Sequence, residues 1–269
     1  MTGNDYVHGY SERECQRLLD QSQTLADLLH HDTIYPAGCH VLEAGCGVGA
    51  QTVILAKNNP HTNFTSIDAS SASIEAARAA VARAGFKNVT FQAADIFRLP
   101  FLEVSFDHVF VCFVLEHVRQ PGEALRRLRA VLKPGGTLSV IEGDHGSTFF
   151  HPRSDAAWRT IQCLIDVQAA MGGNALIGRE LYPLLLGAGF RDVAVSPRFV
   201  SVDASRPAWV EGFTHNTYIA MVEGARDQAL AASLIDRAAW EQGIADLKAS
   251  AGPNGTFCYT FFKGVGIKP

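Results

Sequence analysis

The chain has 269 residues, enough for one sizeable domain with its own core. Its hydrophobic share of 47% is ordinary for a globular protein, and its net charge of −4 offers no basic surface for nucleic acid or an anionic membrane. The six cysteines form no C-x-x-C pair, the first ten residues lack a signal-peptide pattern, and no apolar run approaches the roughly 18 residues of a membrane helix. We therefore expect a cytoplasmic protein with no nucleic-acid or membrane partner.

Helices and strands alternate over the first half of the chain. Ser11 and Glu14 form a capping box that predicts a helix to about residue 30. Strands are predicted near 41–42 and at 63–67, 89–93, 106–111 and 137–141, with helices at 51–57, 70–84 and 121–132 between them. This alternation is typical of βαβ units and a parallel sheet.

The second half is less regular. We predict helices at 155–171 and 179–187, a strand near 193–196, mostly helical segments at 213–221 and 227–249, and an aromatic final strand at 256–262. The predicted organisation is a single domain over 1–269. It comprises an N-terminal lid helix (1–30), a ligand-binding core (35–145) and two segments extra to a minimal sheet, at 146–178 and 206–250, that are expected to enclose the molecule on which the protein acts.

The segment 40–50, H-V-L-E-A-G-C-G-V-G-A, organises the rest of the chain. Gly45, Gly47 and Gly49 follow a short apolar run and precede a helix-forming segment. Such a turn allows the backbone to come close to a ligand and directs backbone N–H groups at it. Glu43 lies at the end of the strand, and an acidic side chain packs poorly in a buried parallel strand, so we expect Glu43 to face a polar ligand.

This segment resembles motif I of class I S-adenosylmethionine (SAM)-dependent methyltransferases, in which an acidic residue precedes G-x-G-x-G. Further matches to that family follow in order: Asp68, Asp95-Ile96, the segment 110–115, the K-P-G-G turn at 133–136, and L-L-L-G-A-G-F-R-D-V at 184–193. The resemblance covers about residues 35–200 and a last strand like the family's seventh. It implies an α/β, Rossmann-like, seven-stranded, mostly parallel doubly wound sheet with the last strand antiparallel, plus helical lid insertions.

The resemblance also implies the cofactor, SAM, with S-adenosylhomocysteine as product. The glycine turn would hold the amino acid end of SAM, and Asp68 would bind both ribose hydroxyls. Asp95 would accept a hydrogen bond from the adenine amine, while Ile96 packs on the ring. The complete expected cofactor set is Tyr10, Glu43, Gly45, Gly47, Gly49, Asp68, Ala69, Asp95, Ile96, Cys112 and Phe113.

The resemblance favours a small-molecule acceptor. Family members that act on nucleic-acid bases carry Asn/Asp-Pro-Pro-aromatic after the fourth strand, whereas the segment 112–115 here is C-F-V-L. The chain looks most like quinone, sterol and natural-product methyltransferases of secondary metabolism. We expect an aromatic or heteroaromatic metabolite methylated on carbon, nitrogen or oxygen, for example an indole-like carbon. The expected acceptor-binding residues are Tyr6, Glu116, His117, Trp158, His215 and Tyr218.

Ionisable residues follow the predicted fifth strand, where α/β sheets place their chemistry. His145 is the expected base, Asp144 its orienter, and Glu142 a third catalytic candidate. No group of His, Asp and Glu has metal-ligand spacing, so no metal is expected, and the oligomeric state is not predicted. Two alternatives remain: a non-catalytic SAM-binding protein, and a NAD-dependent Rossmann oxidoreductase. The latter does not account for Glu43, Asp95-Ile96 or the K-P-G-G turn.

Overall fold

A computed structural model describes residues 12–269, without the side chains of 12–16, 18–20 and 23. The predicted residues Tyr6 and Tyr10 lie outside this part of the chain. The strands are β1 (His40–Ala44), β2 (Asn63–Asp68), β3 (Val89–Ala93), β4 (Phe106–Cys112), β5 (Leu132–His151), β6 (Arg191–Asp203) and β7 (Thr256–Ile267). The α-helices are α1 (Glu12–His30), α2 (Ala50–Asn58), α3 (Ser71–Arg83), α4 (Pro121–Val131), α5 (Asp155–Ala170), α6 (Leu181–Gly187), α7 (Pro207–Trp209), α8 (Ala220–Gly224), α9 (Arg226–Ala231) and α10 (Arg237–Ala249). Short 3₁₀ turns at Leu115–His117 and Ile177–Glu180 and a π-helical segment at Val210–Ile219 complete the description.

The strands form one seven-stranded sheet in the order β3-β2-β1-β4-β5-β7-β6. The pairs β1–β2, β2–β3, β1–β4 and β4–β5 are all parallel. The end of β7 meets the start of β5, because Lys268 N donates to Gly136 O and Gly135 N to Lys268 O, both at 2.9 Å. This pairing makes β7 antiparallel, and the predicted fold class is confirmed.

The order of the strands reverses between β1 and β4. Chain connections on the two sides of this point leave in opposite directions, which opens a crevice beyond the carboxyl ends of the strands. Ligands of doubly wound sheets bind in that crevice. The turn after β1 and the segment after β4 are therefore where the fold places a ligand.

The chain divides into two compact units, each described here by itself. The first unit contains residues 26–142, 177–198 and 262–269, and the second contains 143–176, 199–261 and the described residues up to Leu25. Most of the two predicted acceptor-enclosing segments belongs to the second unit, and their function as a lid stays a prediction. Over residues 12–269, no helix combines the length and apolar character that crossing a bilayer requires.

The core of the first unit lies between the central strands and two helices. Leu42, Val109 and Val140 of adjacent strands are completely buried, as are Leu128 of α4 and Leu185 of α6. Each fully buried side chain of this kind stabilises the fold by about 1.5–3 kcal/mol. This packing holds the strand ends that carry the predicted cofactor residues in fixed positions.

Several boundaries differ from those predicted from the sequence. β5 extends well beyond the predicted 137–141, because the polar residues that follow are buried and the Ser147 hydroxyl accepts from Thr260 N of β7 at 2.9 Å. β6 likewise runs past the predicted 193–196 to Asp203. The predicted mostly helical segment at 227–249 contains α9 and α10, which are separate because Asp236 accepts from Ala239 N at 2.8 Å and caps the start of α10. α6 begins after a 3₁₀ turn rather than at residue 179.

Candidate functional site

The glycine turn after β1 is held against β2 and against the segment after β4. Gly45 N donates to Ile67 O at 2.8 Å. A Cβ on Gly45, whose φ is +79°, would lie 2.3 Å from Val114 Cγ2, so a side chain cannot be accommodated there. Gly47, at φ +51°, has no atom of the described residues within 4 Å of the corresponding position. Gly45 therefore permits close packing, whereas the backbone at Gly47 borders open space that a ligand can occupy.

Glu43 is buried beneath this turn, with 2% of its surface exposed. Its Oε2 accepts hydrogen bonds from Thr52 Oγ1 at 2.8 Å and from Ser66 Oγ at 2.6 Å. Burial, with a smaller contribution from Asp68, raises the pKa of Glu43 to about 7. The structure thus provides two hydroxyl partners for this carboxyl group, and its predicted contact with the cofactor stays a prediction.

Two further predicted carboxylates stand at the ends of β2 and β3. Asp68 Oδ2 accepts from Gly47 N and Oδ1 from Ser70 N, both at 2.9 Å, so Asp68 is tied directly to the glycine turn. Asp95 is exposed and accepts from Phe97 N at 2.9 Å. Ala69 is exposed beside Asp68, and Ile96 is half-buried beside Asp95. Parallel strands bring these predicted cofactor residues to one edge of the sheet.

The backbone turns sharply at the end of β4. Phe113 has a left-handed φ of +57°, which is unusual for a bulky residue, and its N–H donates to Ile141 O at 2.9 Å. Cys112 before it is buried, and burial raises the pKa of its thiol well above the ordinary value. The 3₁₀ turn that follows carries Glu116 and His117, whose Oε1 and Nε2 atoms lie 3.4 Å apart.

Glu142 of β5 holds this turn from below. Its side chain is completely buried, and Oε1 accepts from Val114 N at 3.0 Å and from Leu115 N at 2.7 Å. Burial, together with the Glu116 carboxylate, raises the pKa of Glu142 well above its ordinary value. Oε2 has no hydrogen-bond partner within the part of the chain that the structure describes. The observed contacts of Glu142 therefore fix the backbone after β4, and a catalytic role for it stays a prediction.

His145 lies in an aromatic cluster of the second unit. Its Nδ1 is 2.8 Å from the hydroxyl of Tyr259, and its ring is 5.9 Å from the ring of Tyr218 in an edge-on arrangement. The Tyr218 hydroxyl is 2.7 Å from Thr148 Oγ1. Phe213, Phe257 and Phe261 complete the cluster. Sequence reasoning selected His145 and Tyr218 but not Tyr259, although the aromatic run T-F-C-Y-T-F-F in β7 marked the strand that carries it.

Asp144, the predicted orienter of His145, has a turn-forming contact. Its Oδ1 accepts from Gly146 N at 3.0 Å, and its carbonyl oxygen accepts from Ser147 Oγ at 2.7 Å. This Asx-type turn gives Asp144 a local structural role. Its orienting role stays a prediction, and Tyr259 is the residue that the structure places at Nδ1 of His145.

The remaining predicted acceptor residues also belong to the second unit. Trp158 is half-buried and stacks on Phe150 with ring centroids 6.0 Å apart. His215 is half-buried on the π-helical segment that also carries Tyr218. Among residues 12–269, no three His, Cys, Asp or Glu side chains come together as a metal site requires.

Comparison with known proteins defines the class. Residues 36–182, more than half of the chain, match a family model described as a methyltransferase domain. The chain therefore belongs to the class I SAM-dependent methyltransferase family, and SAM is its cofactor. This assignment agrees with the strand order and with the acidic residues in β1, at the end of β2 and just after β3.

Individual relatives resemble parts of the chain. An O-methyltransferase from Aspergillus sclerotiorum is 35% identical over 158 residues, 58% of this chain and 56% of that protein. The 27-O-demethylrifamycin SV methyltransferase from Amycolatopsis mediterranei is 31% identical over 139 residues, 51% of each protein. The chain thus spans about half the length of the curated relatives it matches.

A solved structure shares the fold. It is phosphoethanolamine N-methyltransferase 2 from Haemonchus contortus, in complex with phosphomonomethylethanolamine and S-adenosylhomocysteine. The match has a TM-score of 0.58 at 17% identity and covers 92% of this chain and 53% of that chain. At this level of identity, the likeness concerns the fold alone.

Proposed function

We propose that this protein transfers the methyl group of SAM to a small aromatic or heteroaromatic metabolite. The observation that carries the proposal is the turn after β1, where the backbone at Gly47 borders open space while its N–H is bonded to Asp68. Asp68 ends β2 and Asp95 follows the end of β3 by two residues, in the same order as the matching positions of the family.

The residues at these strand ends fit SAM. The backbone at Gly47 leaves room for the amino acid end of the cofactor, where a Cβ would fill the space. Asp68 retains lone pairs on both oxygens beyond its two backbone contacts, which suit ribose hydroxyls. Exposed Asp95 suits the adenine amine, and half-buried Ile96 suits the face of the ring. When bound, SAM supplies an electrophilic methyl group on a sulfonium.

The aromatic character proposed for the acceptor rests on the second unit. There, the ring of His145 contacts the rings of Tyr218 and Tyr259, and aromatic side chains suit flat, apolar molecules with a polar edge. Carbon, nitrogen and oxygen all remain candidate acceptor atoms. The names of two relatives, each describing transfer to oxygen, favour a hydroxyl group. His145 would take the proton that such an acceptor loses.

Binding measurements test the cofactor assignment. We expect calorimetry to show micromolar binding of S-adenosylhomocysteine by the wild type. Asp68→Ala should weaken it by about 1–3 kcal/mol, through the loss of charge-assisted hydrogen bonds. Asp227→Ala is the control, since this carboxylate is 93% exposed in the second unit, and it should bind as the wild type does. Binding of NADH but not of S-adenosylhomocysteine would contradict the proposal.

A second experiment identifies the acceptor. Phenols, indoles, quinones and amines are incubated with SAM and the protein, and products are detected by mass spectrometry as the addition of one methyl group. We expect transfer to at least one aromatic class. If S-adenosylhomocysteine binds but no compound is methylated, the chain is a SAM-binding protein without this activity.

A further inference from the structure

We propose that Tyr259 is the positioning residue for His145, holding Nδ1 so that Nε2 receives the acceptor's proton. This inference rests on the proposed function for its catalytic consequence, and on geometry for the arrangement itself. Both side chains are almost completely buried, at 3% exposure for His145 and 2% for Tyr259. Their polar atoms are 2.8 Å apart, the distance of a good hydrogen bond.

The hydrogen bond fixes the orientation of the imidazole ring. A ring flip would replace Nδ1 by a carbon and leave the buried Tyr259 hydroxyl without this partner, which is unfavourable. The hydroxyl of Tyr218 is bonded to Thr148 instead. Tyr259 is therefore the tyrosine whose hydroxyl sets the position of His145, while Tyr218 contacts the ring edge-on.

A second observation comes from Gly143 on β5. A Cβ built on Gly143 would lie 2.3 Å from the hydroxyl oxygen of Tyr259. Any side chain at 143 would thus force the hydroxyl away from its present position. Glycine two residues before His145 is what allows Tyr259 to reach Nδ1.

The ring of Tyr259 is itself held in place. Phe261 lies 4.7 Å from it and Tyr218 5.4 Å from it, both in edge-on arrangements that aromatic pairs prefer. Because the tyrosine ring cannot swing, its hydroxyl is a fixed point for the imidazole. Among the described residues, the titratable groups beside the imidazole include Tyr259 from β7, Tyr218 from the π-helical segment, and Asp144 from its own strand.

The proposed proton path requires one of the two imidazole tautomers. In that tautomer Nδ1–H donates to the Tyr259 oxygen, so the lone pair of the neutral imidazole is on Nε2. An acceptor oxygen that takes the methyl group of bound SAM would lose its proton to Nε2, and the electron pair of the cleaved methyl–sulfur bond would stay with sulfur. The imidazolium then returns its proton to solvent, which restores the neutral ring.

Nuclear magnetic resonance of ¹⁵N-histidine-labelled full-length protein without cofactor tests the arrangement. We expect the His145 signals, assigned with His145→Gln, to show the Nδ1–H tautomer in the wild type. Tyr259→Phe should convert them to a mixture or to the Nε2–H form. Tyr218→Phe removes a hydroxyl from the neighbouring ring and should leave the tautomer unchanged. Gly143→Ala should reproduce the effect of Tyr259→Phe by displacing the hydroxyl.

Kinetics with an acceptor from the screen test the consequence. Tyr259→Phe should lower kcat by about ten- to a hundredfold, part of the about 10²–10⁴-fold of general base catalysis. KM for the acceptor and affinity for S-adenosylhomocysteine should stay within about twofold. A wild-type imidazole in the Nε2–H form, or an unchanged tautomer in Tyr259→Phe, would overturn this inference. Failure of the wild type to bind S-adenosylhomocysteine would instead overturn the proposed function, so the two failures are distinguishable.

Discussion

Replacement of the buried Glu43 by glutamine should change how the stability of the protein depends on pH. The pKa of Glu43 is raised from an ordinary 4.5 to about 7, chiefly by burial. In the native state its carboxyl is therefore protonated at pH values where the unfolded chain has already released that proton. Between these two pKa values the native state binds more protons, so stability declines as pH rises.

The magnitude follows from the size of the pKa shift. One pKa unit corresponds to about 1.4 kcal/mol, so the complete effect is roughly 3 kcal/mol. Between about pH 5 and about pH 8, roughly 2 kcal/mol of it should be lost. Glu43→Gln is neutral at every pH and keeps an acceptor for Thr52 and Ser66, so it lacks this loss.

The assay is urea unfolding of both proteins, without cofactor, at several pH values in this range. The difference between the two curves is needed because His30 acts in the opposite sense. Burial lowers the pKa of His30 to about 4, so its contribution rises with pH between about 4 and 6.5. Because both proteins contain His30, subtracting the unfolding free energy of one from that of the other at each pH removes the contribution of His30. The reasoning would be refuted if the difference in unfolding free energy between Glu43→Gln and the wild type were the same at every pH. It would also be refuted if the variant were most stable relative to the wild type at low pH.

Further predictions concern the turns around the site. Gly45→Ala should lower the free energy of unfolding by about 1–3 kcal/mol, because its Cβ would collide with Val114. Gly47→Ala should remain folded yet weaken S-adenosylhomocysteine binding about tenfold or more by calorimetry, and equal effects of the two variants would contradict the distinction. Glu142→Ala should leave the half-buried amide of Val114 and the buried amide of Leu115 without their acceptor, at about 1–3 kcal/mol for a buried group. Glu142→Gln keeps that acceptor, so urea unfolding should show a clearly smaller loss, and similar losses would argue against this role.

The sequence was sufficient to predict the architecture and the cofactor class. The apolar run before Gly45 and the helix formers after it identify a strand, a turn and a helix, and these signals depend only on near neighbours. Asp68 ends β2 and Asp95 follows β3 closely, as expected, because the alternation of strands and helices fixes which chain segments share an edge. The family assignment and the seven-stranded sheet agree with those predictions.

Local patterns were less informative about what each ionisable side chain contacts. Glu43 was expected to face a ligand, yet Thr52 and Ser66 supply its observed hydrogen bonds. Glu142 was expected to act in catalysis, yet its observed contacts hold the backbone after β4. A carboxylate after a strand looks the same in sequence whether it faces a ligand or a buried amide, because the partner lies on another element.

By itself, then, the sequence determined the alternation of strands and helices and the glycine turn, whereas it placed the end of the fifth strand before His145, which the structure includes in β5. Only the tertiary structure decided that Tyr259 stands at Nδ1 of His145 and that Gly143 leaves room for its hydroxyl. The two partners are 114 positions apart, and they meet because β7 inserts beside β5 in the sheet. The short-range periodicity of the sequence indicates which face of a strand is buried. Which residue of another strand contacts a given side chain depends instead on the order of strands that are distant in the sequence.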